Sequence, residues 1–397
     1  MAVTEIKKGV YWVGAVDWNI RSFHGPTFTT PYGTTYNSYL IVDEQITLVD
    51  AVYTPFAQEL IDHIAEIIDP TTIDNVVVNH IETDHAGALP NIMALNPGAR
   101  MFATNNAKVG LAKHFDQDWD ITVVKSGDTL KTGKYTLSFL EAPMLHWPDS
   151  MFTYIGELKL LMPNDAFGQH YASNFRFDDQ VNFNHVMDEA RKYYANILNP
   201  FSKLVLKKLA EVESLGLEID MIAPSHGIIW RQNPDKILQA YSGWAKGESA
   251  KKVVILYDTM WESTTKLAKA FMEGITEAGV EAALYQVSKT DHNDILTDVI
   301  NASAVLIGSS TVNNNILPSL SPILDELVGL KAPGKIGLAF GSQGWAGGAV
   351  KTIEQRLTEA GVEMHGPAFV VKWLPNGEEL QRAKELGKEI AMQVVHL

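Results

Sequence analysis

The segment HIETDH at residues 80–85 concentrates side chains that can bind a metal ion, and it follows an apolar run at 73–79 that predicts a strand. It contributes His80, Glu82, Asp84 and His85. In an extended turn alternate residues project to one side, so we expect positions 80, 82 and 84 to converge while His85 turns toward a neighbouring centre. Charged groups gathered at one buried edge are unfavourable unless a cation compensates them. The segment therefore predicts a metal site, and its spacing suits two adjacent ions.

Isolated metal-competent residues follow later strands of the first half. His146 lies in LHWPD, Asp165 in PND and His226 in PSHG, each in a loop just past a predicted strand. Taken alone, a single histidine is more often a structural or surface residue, and an aspartate after a strand is usually a turn or capping residue. The cluster at 80–85 favours the ligand interpretation for all three. Asp50 and Asp149 are candidates for orienting ligand histidines, with plain structural roles as the alternative.

Composition restricts the chemistry. The 397 residues include no cysteine, which excludes disulfides, iron–sulfur clusters, zinc–thiolate sites and cysteine nucleophiles. Any metal must therefore be held by His, Asp and Glu.

Thirty-two Lys and Arg against 47 Asp and Glu give a net charge of -15, which disfavours nucleic acid and anionic membrane surfaces as partners. The N-terminus lacks the apolar core of a signal peptide, and no stretch approaches the ~18 apolar residues of a membrane span, so we expect a cytoplasmic protein.

The two halves of the chain have different patterns. The first mixes strand pairs, such as 121–125 with 135–140, with covering helices near 181–198 and 202–215, which predicts an αββα sandwich. A small, polar stretch, YSGWAKGESAKK at 241–252, predicts a linker. We therefore expect domains at 1–249 and 250–397.

The second half alternates strands and helices. Predicted strands at 253–257, 281–286, 304–307, 335–340 and 363–371 alternate with helices near 264–278, 293–301, 321–329, 348–360 and 377–394. This alternation predicts a doubly wound parallel sheet, an α/β fold that binds its ligand at the carboxyl ends of the strands.

A hydroxyl-rich loop follows the first of these strands and leads into a helix. Hydroxyls from Thr259, Ser263 and Thr264, with backbone N–H groups at the helix start, would bind a phosphate without any Lys or Arg. A helix cap is the alternative for such a loop. The whole candidate loop comprises Thr259, Met260, Trp261, Glu262, Ser263 and Thr264.

These motifs together resemble a known family. H-x-E-x-D-H with the later His146, Asp165 and His226 is similar to the metallo-β-lactamase superfamily pattern H-x-H-x-D-H, with Glu82 in place of the second His. Joined to a flavodoxin-like second half, the pattern resembles the flavodiiron proteins along essentially the whole chain. The resemblance implies one iron ion held by His80, Glu82 and His146, a second held by Asp84, His85 and His226, and Asp165 bridging the two.

The resemblance extends to the flavin site. The 259–264 loop resembles the flavodoxin phosphate loop T-x-T-G-x-T, with Trp261 in place of the second Thr. Loops after the third and fourth strands match those that hold the flavin ring, and Trp345 would stack on or flank it. No G-x-G-x-x-G follows a strand, so FMN is expected rather than FAD or NAD. The candidate residues in these two loops are Ser310, Thr311, Val312, Asn313 and Asn314, and Ser342, Gln343, Gly344, Trp345, Ala346 and Gly347.

Two further residues match family positions that approach the diiron pocket. His24 and Tyr194 would position or protonate bound oxygen. A surface loop for the histidine and core packing for the tyrosine are the alternatives.

The expected reaction is reduction of dioxygen to water, of nitric oxide to nitrous oxide, or of both. Carboxylate-rich N/O ligation suits iron that cycles between ferrous and ferric states, and reduced FMN supplies the two electrons that a diferrous pair lacks for dioxygen. Without cysteine pairs for a rubredoxin segment, electrons are expected from a separate carrier, by resemblance a rubredoxin or a similar small redox protein. The resemblance also implies a head-to-tail homodimer.

Two other functions stay open from the sequence. One is a dinuclear zinc hydrolase with a flavodoxin-like sensor domain. The other is an electron carrier whose metal site is vestigial. Metal content and gas turnover separate them from the oxidoreductase.

Overall fold

Short, buried strands dominate the first unit of the chain in the computed structural model, which describes residues 3–396. This unit comprises the residues up to Tyr194 together with Phe201–Ser242. Its strands are β1 Thr4–Lys7, β2 Val10–Trp12, β3 Ala15–Asp17, β4 Ser22–Phe23, β5 Phe28–Thr29, β6 Thr34–Tyr36, β7 Tyr39–Ile41, β8 Thr47–Val49, β9 Asn75–Val78, β10 Arg100–Ala103, β11 Ile121–Val123, β12 Thr129–Lys131, β13 Thr136–Glu141, β14 Met151–Ile155, β15 Leu160–Met162 and β16 Met221–Ile222.

Seven α-helices belong to this part of the described chain, the last of them running across the boundary at Ser242. They are α1 Ala57–Ala65, α2 Thr83–Ala86, α3 Leu89–Leu95, α4 Asn105–Phe115, α5 Phe183–Tyr193, α6 Ser202–Ser214 and α7 Pro234–Lys246. A π-helical turn, Tyr194–Leu198, directly follows α5.

Two sheets form the core of the first unit. One has the order β1-β2-β7-β8-β9-β10-β11 and the other β12-β13-β14-β15-β16. Trp12 and Val77 of the first sheet share one buried cluster with Phe139 and Ile155 of the second, as expected when two sheets pack face to face. Apolar helix residues such as Leu60 and Leu111 are fully buried. The predicted αββα sandwich is confirmed.

The second unit comprises Ala195–Pro200 and the residues from Gly243 onward. Its strands are all parallel, in the order β18-β17-β19-β20, with the last position shared by β21 and β22. Helices α8 and α12 contribute to one buried cluster and α9, α10 and α11 to another, so both faces of the sheet are covered. The elements are β17 Ala250–Asp258, α8 Ser263–Glu277, β18 Glu281–Gln286, α9 His292–Asn301, β19 Ala302–Ser310, α10 Ser321–Leu330, β20 Ile336–Gln343, α11 Ala349–Glu359, β21 Glu363–Met364, β22 Phe369–Lys372 and α12 Gly377–His396.

The strand order confirms the predicted doubly wound parallel sheet, but one local prediction was wrong. The predicted strand at 363–371 is interrupted between β21 and β22, where Pro367 has no N–H to give to a ladder. The boundary between the two units, at Ser242 and Gly243, lies within the stretch 241–252 that was predicted as a linker. This stretch is itself helical up to Lys246 and extended from Ala250. Tyr241, at its start, is buried against Phe167, so tertiary packing overrides the small, polar composition.

Within residues 3–396, no helix is both long and apolar enough to cross a membrane.

Candidate metal centre and phosphate-binding loops

Seven side chains of the first unit converge in two adjacent groups. His80, Glu82, His146 and Asp165 form one group, and Asp84, His85 and His226 form the other. Within each group the candidate ligand atoms lie within 4.8 Å of one another. These are the seven residues singled out from the sequence, and the grouping is the one that the family resemblance implies.

Strand ends and one short helix position these residues. His80 and Glu82 follow β9, whereas Asp84 and His85 lie in α2, which begins at Thr83. The expectation that positions 80, 82 and 84 converge was therefore wrong for Asp84, because side-chain alternation stops where the backbone becomes helical. The remaining three come from the loops before β14, after β15 and after β16.

Asp165 faces both groups with its two carboxylate oxygens. Its Oδ2 lies 3.2 Å from Nε2 of His146 and 3.7 Å from Nε2 of His80. Its Oδ1 lies 3.0 Å from Nε2 of His85 and 3.6 Å from Nε2 of His226. Atoms bound at about 2.1 Å to one ion lie roughly 3 to 3.5 Å apart, so these separations fit two metal ions that share one carboxylate.

The other close pairs have similar separations. Oε2 of Glu82 is 3.5 Å from Nε2 of both His80 and His146. Oδ2 of Asp84 is 3.1 Å from Nε2 of His85 and 3.0 Å from Nε2 of His226. All four histidines therefore turn the same ring nitrogen toward the carboxylates.

Buried atoms without hydrogen bonds test whether a metal fits here. Nε2 of His80 and His85, both carboxylate oxygens of Asp84 and Oδ2 of Asp165 are buried with no hydrogen-bond partner among the described residues. Burial by itself would raise the pKa of Asp165, but the surrounding histidines hold it well below its usual range, so this carboxylate is charged. Such groups are costly to bury unless a cation binds them. The donor set, of imidazoles and carboxylates only, fits iron.

Second hydrogen bonds orient two of the histidines. Nδ1 of His80 donates to Oδ2 of Asp149 at 2.9 Å, and the same oxygen accepts the N–H of Ile81 at 2.9 Å. Nδ1 of His226 donates to the carbonyl of Thr35 at 2.6 Å. In the neutral ring with Nδ1 as the donor, Nε2 keeps its lone pair and turns it toward the cluster, the arrangement that a metal ligand needs.

Asp50 acts on the loops rather than on a histidine ring. Its carboxylate accepts the backbone N–H and the side-chain amide of Asn79 and the side-chain amide of Asn164. Asn79 directly precedes His80, and Asn164 directly precedes Asp165. Asp50 therefore ties together the two loops that carry these residues.

His24 lines an open pocket beside the cluster. Its Nε2 lies 3.1 Å from Oε1 of Glu82. The pocket, of about 280 Å³, is lined by His24 with Tyr36, Tyr53, Glu82 and Asp84, among others. Burial alone would lower the pKa of His24, but its hydrogen bond to Glu82 and the nearby carboxylate charges raise the pKa above its ordinary value.

Tyr194, by contrast, is not brought to the cluster in the contacts that the structure describes. Its hydroxyl pairs with Ser202 at 2.8 Å and its ring packs against Tyr241. The ring of its neighbour Tyr193 lies 6.3 Å from that of His226 and 5.2 Å from that of His170, measured between ring centroids. Adjacent helical residues point about 100° apart, so Tyr193 and Tyr194 have different surroundings.

His170 was missed from the sequence. It is buried, pairs through Nδ1 with the hydroxyl of Thr34 at 2.8 Å and lies 4.8 Å from the His226 ring between centroids. Burial holds its pKa well below the ordinary value, so its ring is neutral. A single histidine in FGQHYAS has no local pattern that would have indicated this position.

In the second unit, hydroxyl groups from three strand ends form a cluster. Oγ of Ser263 lies 2.7 Å from Oγ of Ser342, and Oγ1 of Thr264 lies 3.0 Å from Oγ of Ser310. The backbone N–H of Met260 also donates to Ser310. The three predicted loops are therefore brought together at one edge of the sheet, with no Lys or Arg in any of them.

The backbone beside this cluster suits an anion. Trp261 and Glu262 have φ of 54° and 64°, and α8 begins at the next residue. Consecutive N–H groups in such turns, together with a helix start, form a concave site for anions. Glycine is required at Gly348, where a Cβ would collide with the carbonyl of Asn314. Two predicted loops approach each other closely at this point.

Large aromatic side chains stand exposed at the same edge. Trp261 and Trp345 are each 91% exposed. The ring of Trp345 lies 6.0 Å from that of Trp373 between centroids, and Trp373 follows β22. Trp373 was missed from the sequence, because its contact with Trp345 arises from the pairing of β22 with β20.

Comparisons with known proteins agree with this architecture. The family model described as ODP family beta lactamase matches residues 34–227, and the Flavodoxin model matches residues 255–387. A nitric oxide reductase of Moorella thermoacetica is 55% identical over 391 residues, which is 98% of each chain.

Solved structures are similar along the whole length. The rubredoxin oxygen:oxidoreductase of Desulfovibrio gigas has a TM-score of 0.97 and 39% identity, covering 99% of both chains. The flavodiiron protein of Giardia intestinalis has a TM-score of 0.96 and 35% identity, covering 100% of this chain and 97% of its own. The family resemblance found in the sequence is confirmed: the chain belongs to the flavodiiron proteins, a family of oxidoreductases.

Proposed function

We propose that this chain reduces nitric oxide to nitrous oxide, and dioxygen to water, at a site holding two iron ions and supplied with electrons by FMN. The observation that carries the proposal is the convergence of seven imidazole and carboxylate side chains in two groups, with Asp165 facing both. The 55% identity to a protein named nitric oxide reductase favours nitric oxide. The likeness to an oxygen oxidoreductase supports dioxygen as the second substrate.

The proposed ligands divide as the geometry groups them. One iron ion would be held by His80, Glu82 and His146 and the other by Asp84, His85 and His226. Asp165, which faces both groups, would contribute to holding each of them. When bound, the iron pair and FMN supply the electrons for gas reduction. Glu82 favours iron over zinc, because a hard carboxylate stabilises the ferric state.

His24 and the pocket beside it support the proposed chemistry. Gas reduction consumes protons, and the hydrogen bond to Glu82 and the nearby carboxylate charges raise the pKa of His24 at the pocket wall above its ordinary value, which favours its protonated form. Its Nε2, 3.1 Å from Glu82, lies where a small molecule entering the pocket would meet the cluster. We therefore assign proton supply to His24, whereas the described contacts of Tyr194 give no support for its predicted catalytic role.

FMN is proposed to bind at the hydroxyl cluster of the second unit. Ser263, Thr264 and the N–H groups at the start of α8 would hold its phosphate. The loops at 310–314 and 342–347 would hold the flavin ring, and Trp345 and Trp373 would flank it. A site of this kind has no positively charged side chain and would bind the phosphate through hydrogen bonds from hydroxyl and backbone N–H groups directed at it.

The donor and the assembly are also proposals. Electrons would come from a small redox protein such as a rubredoxin, the donor named for the Desulfovibrio gigas relative.

We propose a head-to-tail homodimer in which the flavin of one chain serves the metal site of its partner. Mixed dimers test this arrangement: His146→Ala chains and FMN-deficient chains, inactive separately, should regain activity when coexpressed. A fully active monomer would refute it. A cytoplasmic location stays a prediction from the sequence.

The deciding experiment is steady-state consumption of nitric oxide and of dioxygen by protein loaded with iron and FMN. We expect turnover of both gases in the wild type, and loss of turnover in His146→Ala while FMN remains bound. About two zinc ions per chain with hydrolytic activity would instead establish the dinuclear hydrolase. Flavin reoxidation by a gas pulse at equal rates in the wild type and in His146→Ala would exclude the metal cluster as the reaction site.

A further inference from the structure

A small cavity in the first unit lies beside two of the loops that carry proposed ligands. Leu145 forms part of its wall and directly precedes His146. Ala166 and Phe167 also line it, and they directly follow Asp165. The cavity is distinct from the open pocket at His24, because the two share no lining residue.

Helix α6 supplies a wall of this cavity. Val205, Leu209 and Val212 line it at positions i, i+4 and i+7, which lie on one face of a helix. Lys208 also contributes, but its ammonium group reaches the carbonyl of Glu141 and the carboxylate of Glu211. Only the apolar stem of this lysine is therefore available to the cavity.

The lining offers no hydrogen bond that would hold water. Apart from Lys208, the only side chain with a polar atom is that of Tyr241, whose hydroxyl accepts the N–H of Phe167 at 2.7 Å. The centre of a water-sized molecule can occupy about 10 Å³ inside the cavity, which is room for one small molecule. Apolar cavities without hydrogen-bonding partners stay dry, and larger ones take up small apolar molecules such as xenon.

We infer that this cavity binds one molecule of the gaseous substrate, nitric oxide or dioxygen, next to the metal centre. The inference rests on the proposed function. Both gases are small and weakly polar, so they gain by leaving water for an apolar space. A site walled by the chain neighbours of His146 and Asp165 would keep the gas close to the centre between turnovers.

Val205 offers a matched set of variants, because its side chain can be enlarged or reduced by small steps. Val205→Ile adds one methylene group to the cavity wall, and Val205→Ala enlarges the cavity. Leu204→Ile is the control, since Leu204 precedes Val205 on α6 but is exposed. Thermal unfolding of each variant establishes that it is folded.

Xenon is the probe for the site itself. Crystals of the wild type and of Leu204→Ile under xenon pressure should show a xenon atom among Leu145, Phe167 and Val205, and Val205→Ile should show none. In the holoenzyme, Val205→Ile should raise the KM for both gases about fourfold, the effect of one methylene group, with kcat little changed. Val205→Ala should retain xenon and leave KM no higher than in the wild type.

The outcomes separate this inference from the proposed function. No xenon in an active wild type would overturn the cavity site alone. Xenon bound in the wild type with an unchanged KM in Val205→Ile, or the same rise of KM in Val205→Ala and Val205→Ile, would overturn the gas-binding role. A wild type that binds xenon but reduces neither gas would refute the proposed function and the substrate assigned to the cavity.

Discussion

Replacing Asp149 tests how a single buried carboxylate supports the metal centre. Oδ2 of Asp149 accepts two hydrogen bonds of 2.9 Å, from Nδ1 of His80 and from the N–H of Ile81. Asp149 is 1% exposed and His80 is fully buried. No solvent therefore replaces either bond when the carboxylate is removed.

The magnitude follows from these two bonds. Asp149→Asn keeps an acceptor but loses the negative charge, and a charged hydrogen bond exceeds a neutral one by about 1 to 1.5 kcal/mol. This is roughly a tenfold loss of iron affinity. Asp149→Ala also leaves two buried donors unsatisfied and frees the imidazole to rotate, which brings the loss to about a hundredfold, the upper range for residues that orient a metal-binding histidine.

The assay is competition for iron between the folded protein and a chelator, followed through the iron remaining per chain. Asp178→Ala is the control, because Asp178 is equally buried and accepts backbone N–H groups of residues 231–233 without a bond to a histidine. The control should lose thermal stability but keep its iron affinity. Equal iron retention in Asp149→Ala and the wild type, or an equal loss in Asp178→Ala, would refute the reasoning.

Three further predictions concern single residues. Metal analysis of Glu82→Gln should find fewer than two iron ions per chain, because the substitution removes a charged ligand. The rate of gas reduction should fall at least about tenfold. An unchanged iron content would contradict this prediction. Ser263→Ala should raise the Kd of FMN about tenfold or more in a fluorescence titration, since it removes a hydrogen bond to a charged phosphate. The control is Thr276→Ala at the far end of α8, which should leave the Kd unchanged. Lys335 is buried, and burial lowers its pKa to about 8, so between pH 8 and 10 the unfolded chain holds a proton that the folded chain has released. The free energy of unfolding should therefore rise with pH in this window, by at most about 3 kcal/mol, and Lys335→Met should flatten the rise; parallel pH profiles for both proteins would exclude this lysine as the cause.

Local patterns carried much of the prediction. Alternating strands and helices indicated the parallel sheet, and the strand ends indicated where its loops would meet. The metal-binding residue types could be found because four of them lie within one hexapeptide, and the cysteine-free composition limited the ligands to nitrogen and oxygen. Such features depend on chemical type and short spacing, which the sequence displays directly.

Long-range pairings could not be predicted in the same way. Asp149 and Asp50 were equivalent candidates in the sequence, yet only Asp149 hydrogen-bonds to His80, whereas Asp50 joins the loops that contain Asn79 and Asn164. Trp373 meets Trp345 only because β22 pairs with β20. Each of these contacts depends on how distant strands pair and how their loops fold back.

For this protein, the sequence by itself determined the types of ligand, the two kinds of domain and the hydroxyl groups available for a phosphate. Only the tertiary structure decided that His24 reaches Glu82, that Asp149 reaches His80 and that Tyr193 lies beside His226. The physical reason is that the first set depends on side-chain chemistry and local periodicity. The second depends on distances of a few ångströms between segments far apart in the chain, which packing alone establishes.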